Sequence, residues 1–225
     1  MSVRHAGSPA LGAPKGTSTA ETLSLWDWRR RVSDLYGQVR TAPGRTGWET
    51  WRQTRDALFR SHPQSPFAGH DPATFPGLPL FPYDPAIRFA VQTEQLTGAA
   101  AIRVEAGRDG ALAFTPFAVT RGLTDALGGE LTLYWIGGYG GGVFLPFRDA
   151  TSGRETYGGG RYLLDTIKSA DLGQDEDGRV ILDFNFAYNP SCAYSDRWVC
   201  PLSPPENTLP QLVRGGEKTP LAPPP

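Results

Sequence analysis

The number and placement of glycine and proline residues constrain this chain more than any other feature of its sequence. Its 225 residues include 27 glycines and 21 prolines, together about a fifth of the chain. Proline lacks the backbone N–H that a regular hydrogen-bond ladder needs, and glycine inside a helix or strand lowers its stability. This composition excludes a helical bundle or a coiled coil and predicts short strands joined by many turns.

Size and charge exclude several further classes of protein. The chain is long enough to bury a hydrophobic core without disulfides or metals, and 39% hydrophobic residues with six tryptophans exclude a fully disordered chain. The formal net charge of −1 gives neither nucleic acid nor an anionic membrane its usual electrostatic attraction, so we expect neither as a partner. No apolar run approaches the roughly 18 residues that a membrane-spanning helix needs.

The two ends of the chain differ in composition from its middle. Residues 1–20 are rich in glycine, alanine, serine and proline and have no apolar signal segment, so we expect a disordered tail there and a proline-rich tail at 219–225. Residues 21–218 are predicted to form one domain. It consists of a helical part (21–62), a proline and aromatic strap (63–86) and a β-rich body with a C-terminal motif loop (87–218). Two cysteines without an export signal predict reduced thiols and a cytoplasmic protein.

Helical spacing of apolar residues predicts two helices before residue 62. The segment from Ser24 to Asp27 resembles a capping box and precedes one apolar stripe. A second helix is expected from about Gly47 to Arg60, because a residue before proline, here His62, is pushed out of the α region. The stripe of the first helix consists of Trp28, Val32, Leu35 and Val39.

Between Gly69 and Pro85 the sequence is dense in proline, with Phe75, Phe81 and Tyr83 interleaved. A structureless loop of this length is unusual in a compact domain. We therefore expect an extended strap whose aromatic side chains dock on the core. A displayed proline-rich ligand is the alternative.

From Ile87 onward apolar residues alternate with polar ones, which is the period of half-buried strands. Asp109-Gly110 is a hairpin signal, and Pro116 marks an edge or a bulge. We predict an α+β fold that is mainly antiparallel β, in which about seven strands form a barrel-like roll or a sandwich and two N-terminal helices pack against it. The expected strands are 87–94, 102–105, 112–120, 131–136, 143–148, 161–167 and 180–188.

Two glycine clusters, at 137–142 and 158–160, lie between predicted strands. Neither opens a helix or ends in Lys-Ser/Thr, so neither is a phosphate-binding loop. The first is expected to be a turn with positive φ angles. The second lets another group approach the backbone closely, and Arg161 directly after it can pair with a carboxylate or a phosphate.

The strongest candidate for chemistry is the segment from Asp183 to Asn189. Strand alternation puts Asp183 and Asn185 on one face, about 7 Å apart. Because aspartate and asparagine are poor strand formers, two of them in one strand indicate a specific requirement. The pair either faces a ligand or is solvated on an outer face.

The two cysteines, Cys192 and Cys200, follow this segment. Their spacing does not match a metal knuckle, so no metal is expected. One interpretation is a nucleophile pair of Cys192 with His62. Another is a pair of buried structural thiols, and a disulfide is geometrically possible although the compartment disfavours it.

Four segments together resemble the bacterial and archaeal DUF1684 family of unknown function. They are residues 55–66, 81–85, 157–162 and 183–207, and the resemblance extends over about residues 23–217. The resemblance implies no established activity, but it implies that these segments form one site. Some relatives carry export or lipoprotein signals, and the absence of such a signal here favours a cytoplasmic version.

These segments predict a site for a small polar molecule in the β-rich body, because small-molecule sites combine apolar walls with a few convergent polar groups. If the site is catalytic, a hydrolytic or acid–base reaction is expected, with Asp183 or His62 transferring protons. No cofactor fingerprint occurs, so no cofactor is expected. The predicted ligand-binding residues are His62, Arg161, Tyr162, Asp183, Asn185, Tyr188, Asn189, Cys192, Tyr194 and Asn207, with Trp198 as a further wall.

Two other interpretations stay open at this point. The strap and the absence of a complete catalytic triad favour a non-enzymatic interaction module. Alternatively, the polar motif residues are structural and satisfy backbone donors in the irregular loop at 189–207. A concave pocket lined by the predicted residues would favour the ligand site.

Overall fold

The computed structural model describes residues 18–67, 71–105, 111–138 and 140–220. These ranges contain three α-helices, α1 (Thr19–Thr41), α2 (Arg45–Ser61) and the short α3 (Thr124–Leu127). No helix in the described part of the chain is long and apolar enough to cross a membrane. Most of the predicted tails, the start of the strap at Gly69 and the turn at Asp109-Gly110 lie outside the described residues.

The first helix begins earlier than predicted. Ser18 is its N-cap, because the Ser18 hydroxyl accepts the N–H of Glu21 at 3.2 Å and the Glu21 carboxylate accepts the N–H of Ser18 at 2.7 Å. The prediction of a capping box from Ser24 to Asp27 is therefore wrong, and residues 19–20 belong to the helix and not to a disordered tail. A complete capping box pairs backbone N–H groups that the first turn otherwise leaves free. This stabilises the start of the helix although the segment has few apolar residues.

The two long helices pack on one face of the sheet. Leu35 of α1 and Trp51 of α2 are buried in a cluster with Tyr134 and Phe144 from the strands. The neighbouring Leu145 belongs to a second cluster on the opposite face, as expected when successive strand residues point to opposite sides. The predicted apolar stripe of α1 and the helix ending before Pro63 are confirmed.

Seven antiparallel strands form a nearly closed, barrel-like sheet, which confirms the predicted fold class. Their order is β6-β5-β4-β3-β1-β7, and β2 pairs with β3. The register shifts between Pro116 and Ala118, so Pro116 marks a bulge. The strands are β1 (Arg88–Gln95), β2 (Ile102–Glu105), β3 (Ala111–Arg121), β4 (Thr132–Ile136), β5 (Gly142–Phe147), β6 (Arg161–Asp165) and β7 (Val180–Asp183).

The ring is closed by a single pair of residues. Tyr162 of β6 and Tyr188, which follows β7, form an antiparallel bridge with N···O distances of 2.8 and 3.0 Å. This bridge joins the two ends of the strand order, so no long edge is left between β6 and the chain after β7. A closed sheet avoids the exposed edge that an open sheet of this size presents.

The last strand is shorter than predicted. β7 ends at Asp183, and Phe184–Phe186 form a 3₁₀ turn in place of the expected strand to residue 188. The Asp183 side chain accepts the N–H of Asn185 at 3.0 Å, and this local cap replaces a ladder hydrogen bond. The predicted alternation of inward and outward residues is therefore wrong here, since residues 182–190 are all buried.

The predicted strap docks through its aromatic side chains within the described residues. Phe75 and Phe81 are buried, and Tyr83 packs against the helical cluster. The strap is also held by its backbone, because Leu80 bridges Glu217 and the N–H of Phe81 donates to the carbonyl of Gly216 at 3.0 Å. The C-terminal segment thus fixes the strap to the sheet.

Of the two glycine clusters, the first is a turn as predicted, with positive φ at Gly138, Gly140 and Gly141; Tyr139 lies outside the described residues. In the second, Gly160 has a φ of +93°, and a Cβ there would lie 2.6 Å from the carbonyl oxygen of Phe147. Gly160 therefore allows a close backbone approach just before Arg161.

We expect Gly160→Ala to lower the free energy of unfolding by about 2 kcal/mol or more, because the side chain is strained at positive φ and meets backbone. Gly158→Ala is the matched control: a Cβ at Gly158 has its nearest neighbour at 3.6 Å, so we expect a change within about 0.5 kcal/mol. Urea denaturation measures both. Equal stability of the two variants would contradict the constraint at Gly160.

Candidate functional site

Two predicted site residues, Asn189 and Tyr194, contact one buried carboxylate, that of Glu217. Its Oε1 accepts from Nε of Arg55 at 2.9 Å, and its Oε2 accepts from the backbone N–H of Asn189 at 2.7 Å and from the phenol of Tyr194 at 2.8 Å. Burial raises the pKa of Tyr194, so the phenol stays protonated and donates. The Glu217 carboxylate is fully buried, and all three partners are internal.

Arg161, at the start of β6, is also fully buried and internally bonded. Its guanidinium pairs with Asp149 at 2.8 Å and donates to the carbonyl of Val213 at 2.9 Å and to that of Gly215. Its charge also lies 5.0 Å from the ring centre of Phe147. These contacts fill most of its donors, so Arg161 holds the C-terminal segment rather than facing solvent.

Asp183 and Asn185 form a second buried group that holds the strap. Asn185 donates to the carbonyl of Asp84 at 2.7 Å and accepts its N–H at 2.8 Å. Asp183 accepts from the Asn185 amide at 2.8 Å and lies 3.4 Å from a guanidinium nitrogen of Arg88. Burial raises the pKa of Asp183, while the bonds from Asn185 and the charge of Arg88 oppose that shift.

The side-chain amide of Asn207 forms hydrogen bonds with backbone groups that a neighbouring strand would otherwise pair. It accepts the N–H of Thr132 at 2.8 Å and donates to the carbonyls of Thr132 at 2.8 Å and Pro146 at 2.7 Å. The Asn189 amide similarly donates to the carbonyl of Lys218 at 2.8 Å. Both side chains satisfy backbone groups that an irregular segment would otherwise leave unpaired, which supports the structural interpretation.

Of the three tyrosines predicted as walls, Tyr162 and Tyr188 are buried in the fold and Tyr194 is half-buried. Tyr162 stacks edge-on against Tyr188 and Phe144, and its phenol donates to the carbonyl of Pro201 at 2.6 Å. The hydroxyl of Tyr188 and the indole N–H of Trp198 are buried without a hydrogen-bond partner among the described residues. None of Tyr162, Tyr188 and Trp198 lines either of two surface clefts, one over β1 and β3 and one between α1 and β7.

His62 lies on the helical side of the molecule. One ring nitrogen is 3.3 Å from Asp27, and the other accepts the N–H of Gln64 at 3.1 Å. With both nitrogens occupied, the ring has none left for a substrate or for a thiol. The interpretation of His62 and Cys192 as a nucleophile pair has no support here, because the Cys192 contacts are Tyr157 and Cys200.

Cys192 and Cys200 are free, half-buried thiols that lie against each other. The N–H of Cys192 donates to Sγ of Cys200 at 3.3 Å, and the phenol oxygen of Tyr157 is 3.8 Å from Sγ of Cys192. Among the described residues, no three histidine, cysteine, aspartate or glutamate side chains are grouped closely enough to hold a metal ion.

Two surface clefts lie away from the predicted site residues. A shallow cleft of about 470 Å³ lies over β1 and β3, and a smaller one of about 200 Å³ lies between α1 and β7. None of the ten predicted residues lines either cleft. A direct ligand contact by these residues therefore stays a prediction, while their internal contacts give them a role in holding the fold.

The residues that the sequence analysis missed are mostly charged partners. Arg55 opens the first segment that carries the family resemblance, and Glu217 lies at the end of the wider range over which the resemblance extends. Asp149, the partner of Arg161, lies outside those segments and follows a strand of ordinary pattern. Arg88 is one of the polar residues that alternate with apolar ones in the first strand, and it lines the smaller cleft.

We expect Glu217→Gln to lower the free energy of unfolding by about 3–5 kcal/mol, because it leaves Arg55 charged and buried without a carboxylate. Glu155→Gln is the matched control, since Glu155 pairs with Arg214 on the exposed surface and should cost below about 1 kcal/mol. Thermal and urea denaturation compare them. A similar small loss in both variants would show that the buried network does not hold the fold.

The structural role of Asp183 predicts a pH dependence. Because its folded pKa is raised, the folded state takes up the proton first, and this stabilisation is present at low pH and lost as pH rises through the folded pKa. Wild type should therefore gain stability relative to Asp183→Asn between about pH 7 and pH 4. Asp183→Ala, which also removes the cap of Asn185, should lower the melting temperature further. A pH-independent difference between wild type and Asp183→Asn in urea denaturation would contradict this assignment.

Comparison with known proteins agrees with the resemblance seen in the sequence. A family model described as a protein of unknown function, DUF1684, matches residues 73–218. An uncharacterized protein of Haloarcula marismortui, with a structure solved in solution by NMR, is 32% identical; the match covers 77% of this chain and 93% of that chain, with a TM-score of 0.54. No curated protein matches the chain. The chain therefore belongs to the DUF1684 family of proteins of unknown function.

Proposed function

We propose that this protein binds a small organic anion in the cleft between α1 and β7. The proposal keeps a small polar molecule as the ligand, but its polar contacts come from Arg40 and Arg88 in place of Arg161 and Asn189. The cleft has a volume of about 200 Å³. It is lined by Val39, Arg40, Pro43, Gly44, Arg88, Leu172, Gln174, Asp175, Ile181 and Phe186.

The observation that carries the proposal is the pair of guanidinium groups with spare donors. Arg40 donates to the carbonyl of Asp171 at 2.9 Å and lies 3.7 Å from the Asp171 carboxylate, and Arg88 has one longer contact of 3.4 Å with Asp183. Within the described residues neither forms another hydrogen bond. A guanidinium has five N–H donors, and its planar fork fits a carboxylate or a phosphate.

The remaining walls of the cleft suit the apolar body of such a ligand. Leu172, Ile181 and Phe186 supply hydrophobic surface. The acidic residue in the lining, Asp175, is paired with Arg179 at 2.8 Å and so opposes an anion less. The volume is below the roughly 300–1,000 Å³ of drug-sized pockets, which favours a small carboxylate.

Two alternatives have weaker support. The cleft over β1 and β3 is larger but has no charged side chain in its lining, so it offers little to orient a ligand. A protein-interaction module is favoured by Leu23 and Trp26 of α1, which are 56% and 63% exposed. Hydrolytic chemistry has no support from His62 or Asp183, because both side chains are buried and occupied by internal partners.

Titration of the full chain with benzoate, followed by two-dimensional NMR, tests the proposal. We expect shifts of backbone signals at Gly44, Leu172 and Ile181, and a weakening of roughly tenfold or more in Arg40→Gln and Arg88→Gln, since a hydrogen bond to a charged group contributes about 1.5–3 kcal/mol. Arg121→Gln, which removes an exposed guanidinium that does not line the cleft, should bind like wild type.

The proposal would fail if benzoate and inorganic phosphate left the cleft signals unchanged at millimolar concentration. It would also fail if Arg121→Gln weakened binding as much as Arg88→Gln, because the interaction would then be a general charge effect. Shifts confined to α1 around Trp26 would instead favour the interaction module.

A further inference from the structure

The proposed anion site does not involve the two cysteine thiols, which are reactive groups of the C-terminal motif loop that lie near the surface. Cys192 lies in the 3₁₀ turn Ser191–Ala193, and Cys200 lies eight residues later in the same loop. Both thiols are half-buried, whereas a free cysteine that serves only packing is usually fully buried. Partial exposure leaves their sulfur atoms within reach of a small molecule.

The backbone already holds the two cysteines together. The N–H of Cys192 donates to Sγ of Cys200 at 3.3 Å, so the second sulfur lies against the residue that carries the first. Both sides of the loop are anchored. Tyr194 is tied to Glu217 at 2.8 Å, and the carbonyl of Pro201 accepts the phenol of Tyr162 at 2.6 Å. A bond between the two sulfurs would therefore form within a loop that the rest of the fold holds on both sides.

Beside the pair, Gly159 leaves space that a side chain would fill. A Cβ at Gly159 would lie 2.5 Å from the ring of Tyr157 and 2.8 Å from Leu202. Tyr157 can thus reach Cys192, at 3.8 Å between oxygen and sulfur. Val199 and Leu202 beside Cys200 are 57% and 48% exposed, so the rim of the site is open.

The electrostatic environment makes the two thiols unequal. The hydrogen bond from Cys200 lowers the pKa of Cys192 to about 6, against the opposing effect of burial, and the contact with Tyr157 adds to the lowering. The pKa of Cys200 is raised by the same pairing and by burial. The charge of Lys168 opposes the rise in the pKa of Cys200, and the charge of Asp196 contributes to a raised pKa of Tyr157. Since a thiolate is the nucleophile in thiol chemistry, this asymmetry assigns the first attack to Cys192.

We propose that Cys192 and Cys200 form a redox-active dithiol that exchanges electrons with low-molecular-weight disulfides, with Cys192 as the attacking and Cys200 as the resolving thiol. The Cys192 thiolate attacks one sulfur of the small disulfide, its S–S bond breaks, and one thiolate leaves and takes up a proton. The product is a mixed disulfide on Cys192.

The second step completes the exchange. Cys200 loses its proton to solvent and attacks Sγ of Cys192, the mixed disulfide breaks, and the second small thiolate leaves and is protonated. The protein dithiol has then lost two electrons and two protons to form one internal disulfide, and the small disulfide has been reduced to two thiols. The reverse sequence with two small thiols regenerates the dithiol.

The test uses the reduced full chain with glutathione disulfide, acid quenching and mass spectrometry. Wild type should form a disulfide between Cys192 and Cys200 within one chain, without accumulating a glutathione adduct. Cys200→Ser should accumulate the adduct on Cys192, because the resolving thiol is missing. Cys192→Ser should react at least about tenfold more slowly, because Cys200 is the weaker nucleophile. Circular dichroism of each variant checks its fold.

One measurement on wild type does not depend on any variant. Brief labelling with iodoacetamide at about pH 7 should modify Cys192 at least about tenfold faster than Cys200. Three results would overturn the proposal: both cysteines staying reduced in excess glutathione disulfide, a disulfide that forms only between chains, or labelling of the two cysteines at equal rates. Thiols that react only after unfolding would show that they are structural.

Discussion

Two buried guanidinium groups determine how the rest of this molecule is arranged. Removing a charge from water is costly unless an opposite charge and several hydrogen bonds replace the solvent. Arg55 on α2 finds the carboxylate of Glu217, and Arg161 on β6 finds Asp149 together with the carbonyls of residues 213 and 215. Both arginines thus require the C-terminal segment to lie where it does, between the helices, the strap and the sheet.

The residues that carry the family resemblance therefore fall into two groups, those that hold the interior together and those near the surface. Asn185, Asn189 and Asn207 replace ladder hydrogen bonds in segments that have no regular partner strand. These asparagines are part of the interior. The groups that could contact a small molecule lie nearer the surface. Those groups are the dithiol in the loop after Asn189 and the guanidinium pair in the cleft beside α1. The two proposed sites are therefore small, separate from each other and at the surface.

Regular elements were predictable from the sequence because their signals are local. The stripe through Leu35 and Val39 and the alternation in β1 and β2 each lie within one element. The 3₁₀ turn at Phe184–Phe186 was mistaken for strand because the Asp183 side chain replaces a backbone partner, which periodicity does not register. Arg55 and Glu217 are 162 residues apart, and Asp149 lies on a different segment from Arg161, so pattern and spacing give no indication that they pair.

The late position of Glu217 has a consequence for synthesis of the chain on the ribosome. The α2 helix is synthesised first, and the carboxylate that neutralises its buried arginine follows 162 residues later. Until it arrives, docking of α2 at that point would bury an uncompensated charge, which is unfavourable. Close packing of α2 on the C-terminal segment is therefore expected only after Glu217 has been synthesised.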